Sequence, residues 1–70
     1  MQYSVHARER MIEYGIAEAE VQAVIDTHRR GLYTPQARDR VEHFGYAADG
    51  SPLNVVTNRA VSVVITIVLQ

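Results

Sequence analysis

The sequence predicts an α+β fold, in which two N-terminal helices pack on one face of an antiparallel sheet of three to four strands. Before residue 30, apolar residues recur at spacings of three and four, which is the period of a helix. After residue 38 they recur at spacings of two, which is the period of a strand. Because the helices come first and the strands follow, the pattern indicates an α+β arrangement rather than alternating βαβ units.

The first helix is expected over residues 5–14, between Ser4 as a capping residue and Gly15 as a helix stop. Its apolar side is formed by Ala7, Met11 and Tyr14. Along the flank of that side, at the same spacing, lie His6, Arg10 and Glu13. One side of the helix should therefore pack inward, with a row of charged and titratable residues at its border.

The second helix is expected from Ala17 to about Arg29. Glu18 and Glu20 fall in its first turn, where the helix dipole favours anions. Its apolar stripe consists of Val21, Val24, Ile25 and His28. Gly31 follows as a C-terminal cap, and the short hinge after Gly15 predicts a tight corner between the two helices.

The remainder of the chain reads as a loop and three strands. Residues 31–37, which include Pro35, predict the loop. The strands are expected over residues 38–46, 53–57 and 61–69, separated by turn signals at 47–50 and 58–59. On the last strand, the core side is expected to consist of Val61, Val63, Ile65, Ile67 and Leu69. The opposite side, with Ser62, Val64, Thr66 and Val68, is half apolar, so we expect it to pack against something too.

Composition limits the classes of function. The 70 residues suffice for one domain, residues 1–70, with a small core. The absence of cysteine removes disulfides and thiolate metal sites. The longest apolar stretch is far shorter than the ~20 residues of a membrane span, and residues 1–10 have no apolar signal-peptide core, so a cytoplasmic, non-membrane protein is expected. The net charge of −1 argues against binding a polyanion by bulk electrostatics.

Metals and cofactors are not expected. The three histidines are far apart in the sequence and have no ligand partners at metal-binding spacing. The sequence also lacks a glycine-rich phosphate loop. The chemistry that remains is acid–base catalysis and electrostatic binding by the chain's own side chains.

Two segments carry candidate residues for such chemistry. His6 lies in the first turn of a helix with arginines nearby, so it could exchange a proton beside an anion, or it could simply cap the helix and pack on the sheet. On the first predicted strand, Arg40, Glu42, Phe44 and Tyr46 alternate onto one side. If that side is exposed, it suits a phosphodiester and a stacked base; if it is covered, the same residues form an ion pair and two core aromatics.

Residues 4–11, SVHARERM, are followed by Tyr14-Gly15-Ile16 and Val21. With this pattern the chain resembles a family of small bacterial domains called domain of unknown function 4258. Weaker matches follow at residues 40–45, 53–56 and 65–67, so that the resemblance covers nearly the whole chain. Two positions depart from the family pattern: Tyr14 stands where a basic residue is common, and Ala17 replaces a helix-capping serine.

That family is similar to the RelE-like group of toxins, which includes barnase-like and colicin-like ribonucleases. The resemblance implies metal-independent RNA cleavage, with His6 as the general acid or base. It implies that Arg10 and Arg40 hold the phosphate, that Thr66 supports the site, and that His43 is the alternative proton carrier. Arg8 could take the place of Arg10 if the helix is rotated. An antitoxin-like protein partner would be expected.

A second interpretation remains open. The half-apolar side of the last strand also suits a non-catalytic interaction module of the same fold, which would form a homodimer or bind another protein through its sheet. Thr66 would then be an ordinary strand residue. The two interpretations differ in whether the sheet surface binds RNA or protein.

Overall fold

The computed structural model describes residues 1–34 and 37–70. In these ranges the chain forms two helices and five strands: β1 (Gln2–Tyr3), α1 (Val5–Tyr14), α2 (Glu18–Thr27), β2 (Leu32–Thr34), β3 (Ala37–Tyr46), β4 (Pro52–Asn58) and β5 (Val63–Leu69). The strands form one sheet in the order β1-β5-β4-β3-β2. Strand β1 pairs with β5 in parallel, and the other neighbours are antiparallel. The predicted α+β class is confirmed, but the sheet is mixed.

Two strands of this sheet were not predicted. Strand β2 lies inside residues 31–37, so the predicted loop is wrong at Leu32–Thr34, which pair with β3. Pro35 lies outside the described residues. Strand β1 has only two residues, too few to show a period, and the Gln2 N–H donates to the Ser62 carbonyl at 3.0 Å. The partner of β1 lies near the other end of the sequence, whereas β2 pairs with the strand that follows it.

Helix α1 has the predicted ends because both caps are local. The Ser4 hydroxyl accepts a hydrogen bond from the Ala7 N–H at 3.0 Å and donates one to the Ile65 carbonyl at 2.5 Å. Gly15 ends the helix with φ +67°, a conformation that glycine adopts without a Cβ penalty. Ser4 therefore both starts α1 and ties it to β5.

Helix α2 begins at Glu18 and ends at Thr27, slightly inside the predicted range. Its N-cap is Ala17, which has no side-chain acceptor. Instead, the two carboxylate oxygens of Glu20 accept from the Ala17 N–H and the Ala48 N–H, each at 2.7 Å. The Ala17 N–H first, and then the Ala48 N–H, lower the pKa of Glu20 below its ordinary value. Glu20 thus holds the start of α2 against the turn between β3 and β4.

Both helices pack on the same side of the sheet. Helix α1 packs on β5, and α2 packs on β3 and β4. The core between the layers is formed by Ala7, Met11, Ile16, Val21, Val24, Ile25, Ala47, Leu53, Val55, Val64 and Ile67. At Gly45, a Cβ atom would come within 2.9 Å of a Val24 methyl group, so glycine lets α2 lie close to β3.

The predicted core side of the last strand is only partly right. Thr57 is opposite Val64 and Val56 is opposite Thr66, so Ile65 is an extra residue in a β-bulge. Because one extra residue reverses the alternation, Val64 is fully buried in the core while Val63 and Ile65 are only half-buried. Ile67 lies on the predicted side and is fully buried.

Candidate functional site

The side of the sheet that faces away from the helices is the main candidate surface, and we call it the open face. The strand register places Arg40, Glu42, Phe44 and Tyr46 of β3 on it. Their neighbours on the same side are Leu32 from β2, Pro52, Asn54, Val56 and Asn58 from β4, and Thr66 and Val68 from β5. The condition set by the sequence, that the Arg40 side be uncovered, is met because the described helices lie on the other side.

The open face exposes several large apolar side chains. Tyr46 is 71% exposed, Leu32 53%, Phe44 44% and Val68 37%. Val56, in the middle of the face, is buried among its neighbours. Several exposed apolar side chains on one surface, with polar residues between them, are typical of interaction sites.

A shallow groove of about 240 Å³ crosses one end of the open face. It is lined by Phe44, Gly45, Tyr46, Pro52, Leu53, Asn54 and Gln70. Within the described part of the chain, the Oδ1 atom of Asn54 is buried and has no hydrogen-bond partner. Its Nδ2 atom lies 3.4 Å from a carboxylate oxygen of Glu42, which is a long hydrogen bond. Because this atom is buried, a bound molecule could satisfy it only if the amide turned outward.

Two of the predicted site residues, His6 and Arg10, lie on α1 and therefore on the other side of the sheet. His6 is exposed to solvent. The Arg10 guanidinium donates a hydrogen bond to the Tyr14 hydroxyl and lies 5.7 Å from the centre of the Tyr14 ring. Tyr14 thus binds the arginine that the resemblance assigned to phosphate.

His43 lies inside the protein and on neither surface. It is fully buried, with Nδ1 2.7 Å from the His28 carbonyl oxygen and Nε2 2.9 Å from the Thr57 hydroxyl. Because a carbonyl only accepts, Nδ1 carries a hydrogen and donates it to the His28 carbonyl, while Nε2 is hydrogen-bonded to the Thr57 hydroxyl. Both ring nitrogens are occupied by structural contacts, so His43 connects the end of α2 to the sheet.

His28 covers the edge of β3 next to Phe44, beyond the residues of β3 that pair with β2. Its Nδ1 accepts a hydrogen bond from the Phe44 N–H at 2.9 Å, and its ring centre lies 5.8 Å from that of Phe44. The same ring meets His43 edge-on, with 6.4 Å between the centres. The end of α2 therefore supports Phe44 from the side.

Arg40 and Thr66 are the two predicted site residues that share a surface. Arg40 is exposed on the open face, in register with Asn58. Thr66 is half-buried two strands away, in the row Glu42–Val56–Thr66. Since strands are ~4.8 Å apart, Thr66 lies ~10 Å from Glu42 across the face. The five predicted residues are thus divided between α1, the core and the open face.

The structure adds Asn54 and Leu32 to the candidate site and gives Glu42 its neighbours. Asn54 gave no signal, because an asparagine within a strand is normally exposed and solvated. Leu32 was placed in a predicted loop. Glu42 was named as part of the β3 surface, and the register now shows that it borders both Asn54 and Val56. Cross-strand register, which one sequence cannot supply, is what assembles this group.

The described ranges contain no cluster of three or more histidine, cysteine or acidic residues that could hold a metal ion. Among the described helices, none is long and apolar enough to cross a membrane. Comparisons of the chain with protein-family models, with curated proteins and with solved structures found no significant match.

Proposed function

We propose that this protein is an interaction module that forms a homodimer through the open face of its sheet. The observation that carries the proposal is the set of exposed apolar side chains on that face, led by Tyr46, Leu32 and Phe44. Covering them removes apolar surface from water, which stabilises the complex by about 25 cal/mol for each Å² buried. The helices already cover the other side, so this is the surface on which a partner gains most.

Size and charge favour a second copy as the partner. The principal extents of the domain are 30, 23 and 19 Å. The two larger extents limit the open face to at most on the order of 700 Å², which approaches the ~800 Å² per partner of a standard interface. Its described side chains include one cation, Arg40, and one anion, Glu42, so two copies do not repel each other.

The first prediction is that the purified protein sediments as a dimer and that Phe44→Lys makes it monomeric. A lysine there would bury an unpaired charge between the two copies. We expect the dimer dissociation constant to rise at least tenfold in sedimentation equilibrium. Ile12→Lys is the matched control, because Ile12 is 83% exposed on α1, away from the open face, and should leave the dimer intact. A wild-type protein that stays monomeric at high concentration would disprove the proposal.

RNA cleavage is the second candidate, and one observation favours it. Arg40, Glu42 and Thr66 lie on the open face together with exposed aromatic rings. On this face Arg40 would bind a phosphate, Tyr46 would stack on a base, and the Glu42 carboxylate would take the proton of the attacking 2′-hydroxyl. None of the three histidines lies on the face among the described residues, so the leaving group would take its proton from water.

This candidate keeps the wider expectations of the family resemblance as proposals. It includes a RelE-like fold, supported by helices that precede a β3–β4–β5 meander and pack on one side of it. It also includes a cytoplasmic toxin whose antitoxin covers the open face. The helices on the far side would then be a scaffold.

The second prediction tests cleavage in bacteria that express the protein. If the open face cleaves RNA, growth should stop and total RNA should fragment, and Arg40→Ala should abolish both effects. His6→Ala is the control and should keep them, because His6 lies across the sheet from Arg40. If His6→Ala alone removes cleavage, the site is on α1. Normal growth and no RNA binding at low salt would exclude the nuclease.

A further inference from the structure

We infer that the two copies of the dimer are related by a two-fold axis that runs along β4, so that Phe44 of each copy packs on the partner's Val68. The inference rests on the proposed homodimer and adds its geometry. Strand β4 is the middle strand of the five, with β5 and β1 on one side and β3 and β2 on the other. Rotation about β4 therefore places the β3 half of one face on the β5 half of the other.

The shapes of the two halves support this axis. The β3 half carries the large side chains Phe44 and Tyr46, and the β5 half carries the smaller Thr66 and Val68. Phe44, Asn54 and Val68 form one row across the sheet. Rotation about β4 leaves each row at the same position along the strands and exchanges its two ends. The large side chains of β3 in one copy therefore meet the small side chains of β5 in the other. Such complementarity is what close packing between two sheets requires.

The alternative axis, which crosses the strands at the same row, fits less well. It would bring Phe44 onto the partner's Phe44 and the Glu42 carboxylate onto the partner's Tyr46. Large side chains would then meet each other over β3, while the small ones left a gap over β5. A carboxylate would also be buried against a ring without a cation.

Asn54 provides an independent observation. It lies on β4 and thus on the proposed axis, where a residue faces its own copy. Its Oδ1 has no partner among the described residues, and its Nδ2 makes only the long contact with Glu42. Because Oδ1 is buried in the single copy, the amide would turn outward on dimerisation, and two asparagine amides that meet across an axis can then donate to and accept from each other. A buried polar pair of this kind fixes the register of an interface.

Cysteine cross-linking tests the axis directly, since the natural chain has no cysteine. With sheets ~10 Å apart and strands ~4.8 Å apart, the proposed axis puts residues 44 and 68 of different copies ~10 Å apart, but the two residues 44 ~14 Å apart. A short bis-maleimide whose reach falls between these distances should link a mixture of Phe44→Cys and Val68→Cys into a covalent dimer. Neither variant should be linked alone. Ile12→Cys mixed with Val68→Cys is the control for random collision.

Each outcome has a distinct meaning when sedimentation is measured in parallel. If Phe44→Cys alone is linked, the axis crosses the strands and the inference fails. If the variants dimerise without the expected link, the inference fails while the proposed homodimer stands. If the wild type is a monomer, the proposed function itself fails.

A second variant tests Asn54 without any cross-linker. Asn54→Asp would place two carboxylates face to face on the axis, so the dimer dissociation constant should rise at least tenfold at neutral pH. Dimerisation should recover in acid, where the carboxylates are protonated and can share a hydrogen. Asn54→Ser is the control, with a smaller and pH-independent loss. Unchanged dimerisation of Asn54→Asp at neutral pH would rule out an axis through this residue.

Discussion

Gly31→Ala is expected to destabilise the fold by at least about 3 kcal/mol, a large part of the stability of a domain this small. Gly31 has φ +62°, which costs a residue with a Cβ about 1 kcal/mol. In addition, its Cβ would overlap a Val41 methyl group and lie 2.8 Å from the Glu42 carbonyl oxygen. The carbonyl belongs to a paired strand and cannot move aside without breaking the β2–β3 ladder.

Gly15→Ala is the matched control for Gly31→Ala. Gly15 has nearly the same φ, +67°, but nothing lies within 4 Å of its Cβ position. We therefore expect a loss of only about 1 kcal/mol, from backbone strain alone. Urea denaturation of both variants separates strain from steric overlap. Equal losses at the two positions would mean that the β2–β3 corner relaxes and that β2 is held only loosely.

His43→Ala is expected to cost about 3–5 kcal/mol of unfolding free energy. The substitution leaves a cavity in a fully buried position and removes hydrogen bonds to the His28 carbonyl and the Thr57 hydroxyl. The effect should reach the open face as well, because the Phe44 N–H donates a hydrogen bond to the His28 ring. Urea denaturation measures the loss, and amide exchange at Phe44 reports the second effect.

The same measurement distinguishes a structural role of His43 from a role as a proton carrier. His6→Ala is the comparison, since an exposed helix residue should change stability by less than about 0.5 kcal/mol. If His43→Ala loses less than about 1 kcal/mol, the ring is not the structural link described here. Nitrogen chemical shifts of the wild type provide a further check, because they should show a hydrogen on Nδ1, which faces the His28 carbonyl.

The open face connects the two functional hypotheses and makes them compete. A dimer that buries Phe44 would cover Arg40 or leave it at the rim, so RNA would have to displace the partner. If both activities exist, added RNA should shift the sedimentation of the wild type from dimer to monomer. Dimerisation would then act as a form of self-inhibition.

Local signals in the sequence determined the helices and the side of β3. Ser4 and Gly15 fixed both ends of α1, because capping depends on residues within one turn of the helix ends. The alternation of Arg40 with His43 correctly assigned them to opposite sides of β3, since successive side chains in a strand always alternate.

The tertiary structure decided what depends on distant partners. The Ile65 bulge reversed the predicted sides of Val63 and Val64, and the Ser4 hydroxyl that donates to the Ile65 carbonyl comes from a residue 61 positions away. His43 looked like a chemical group until the structure gave it His28 and Thr57 as partners. The open face itself followed from both helices packing on the same side. Pairing and packing energies act between segments far apart in the chain, so no local pattern in one sequence records them.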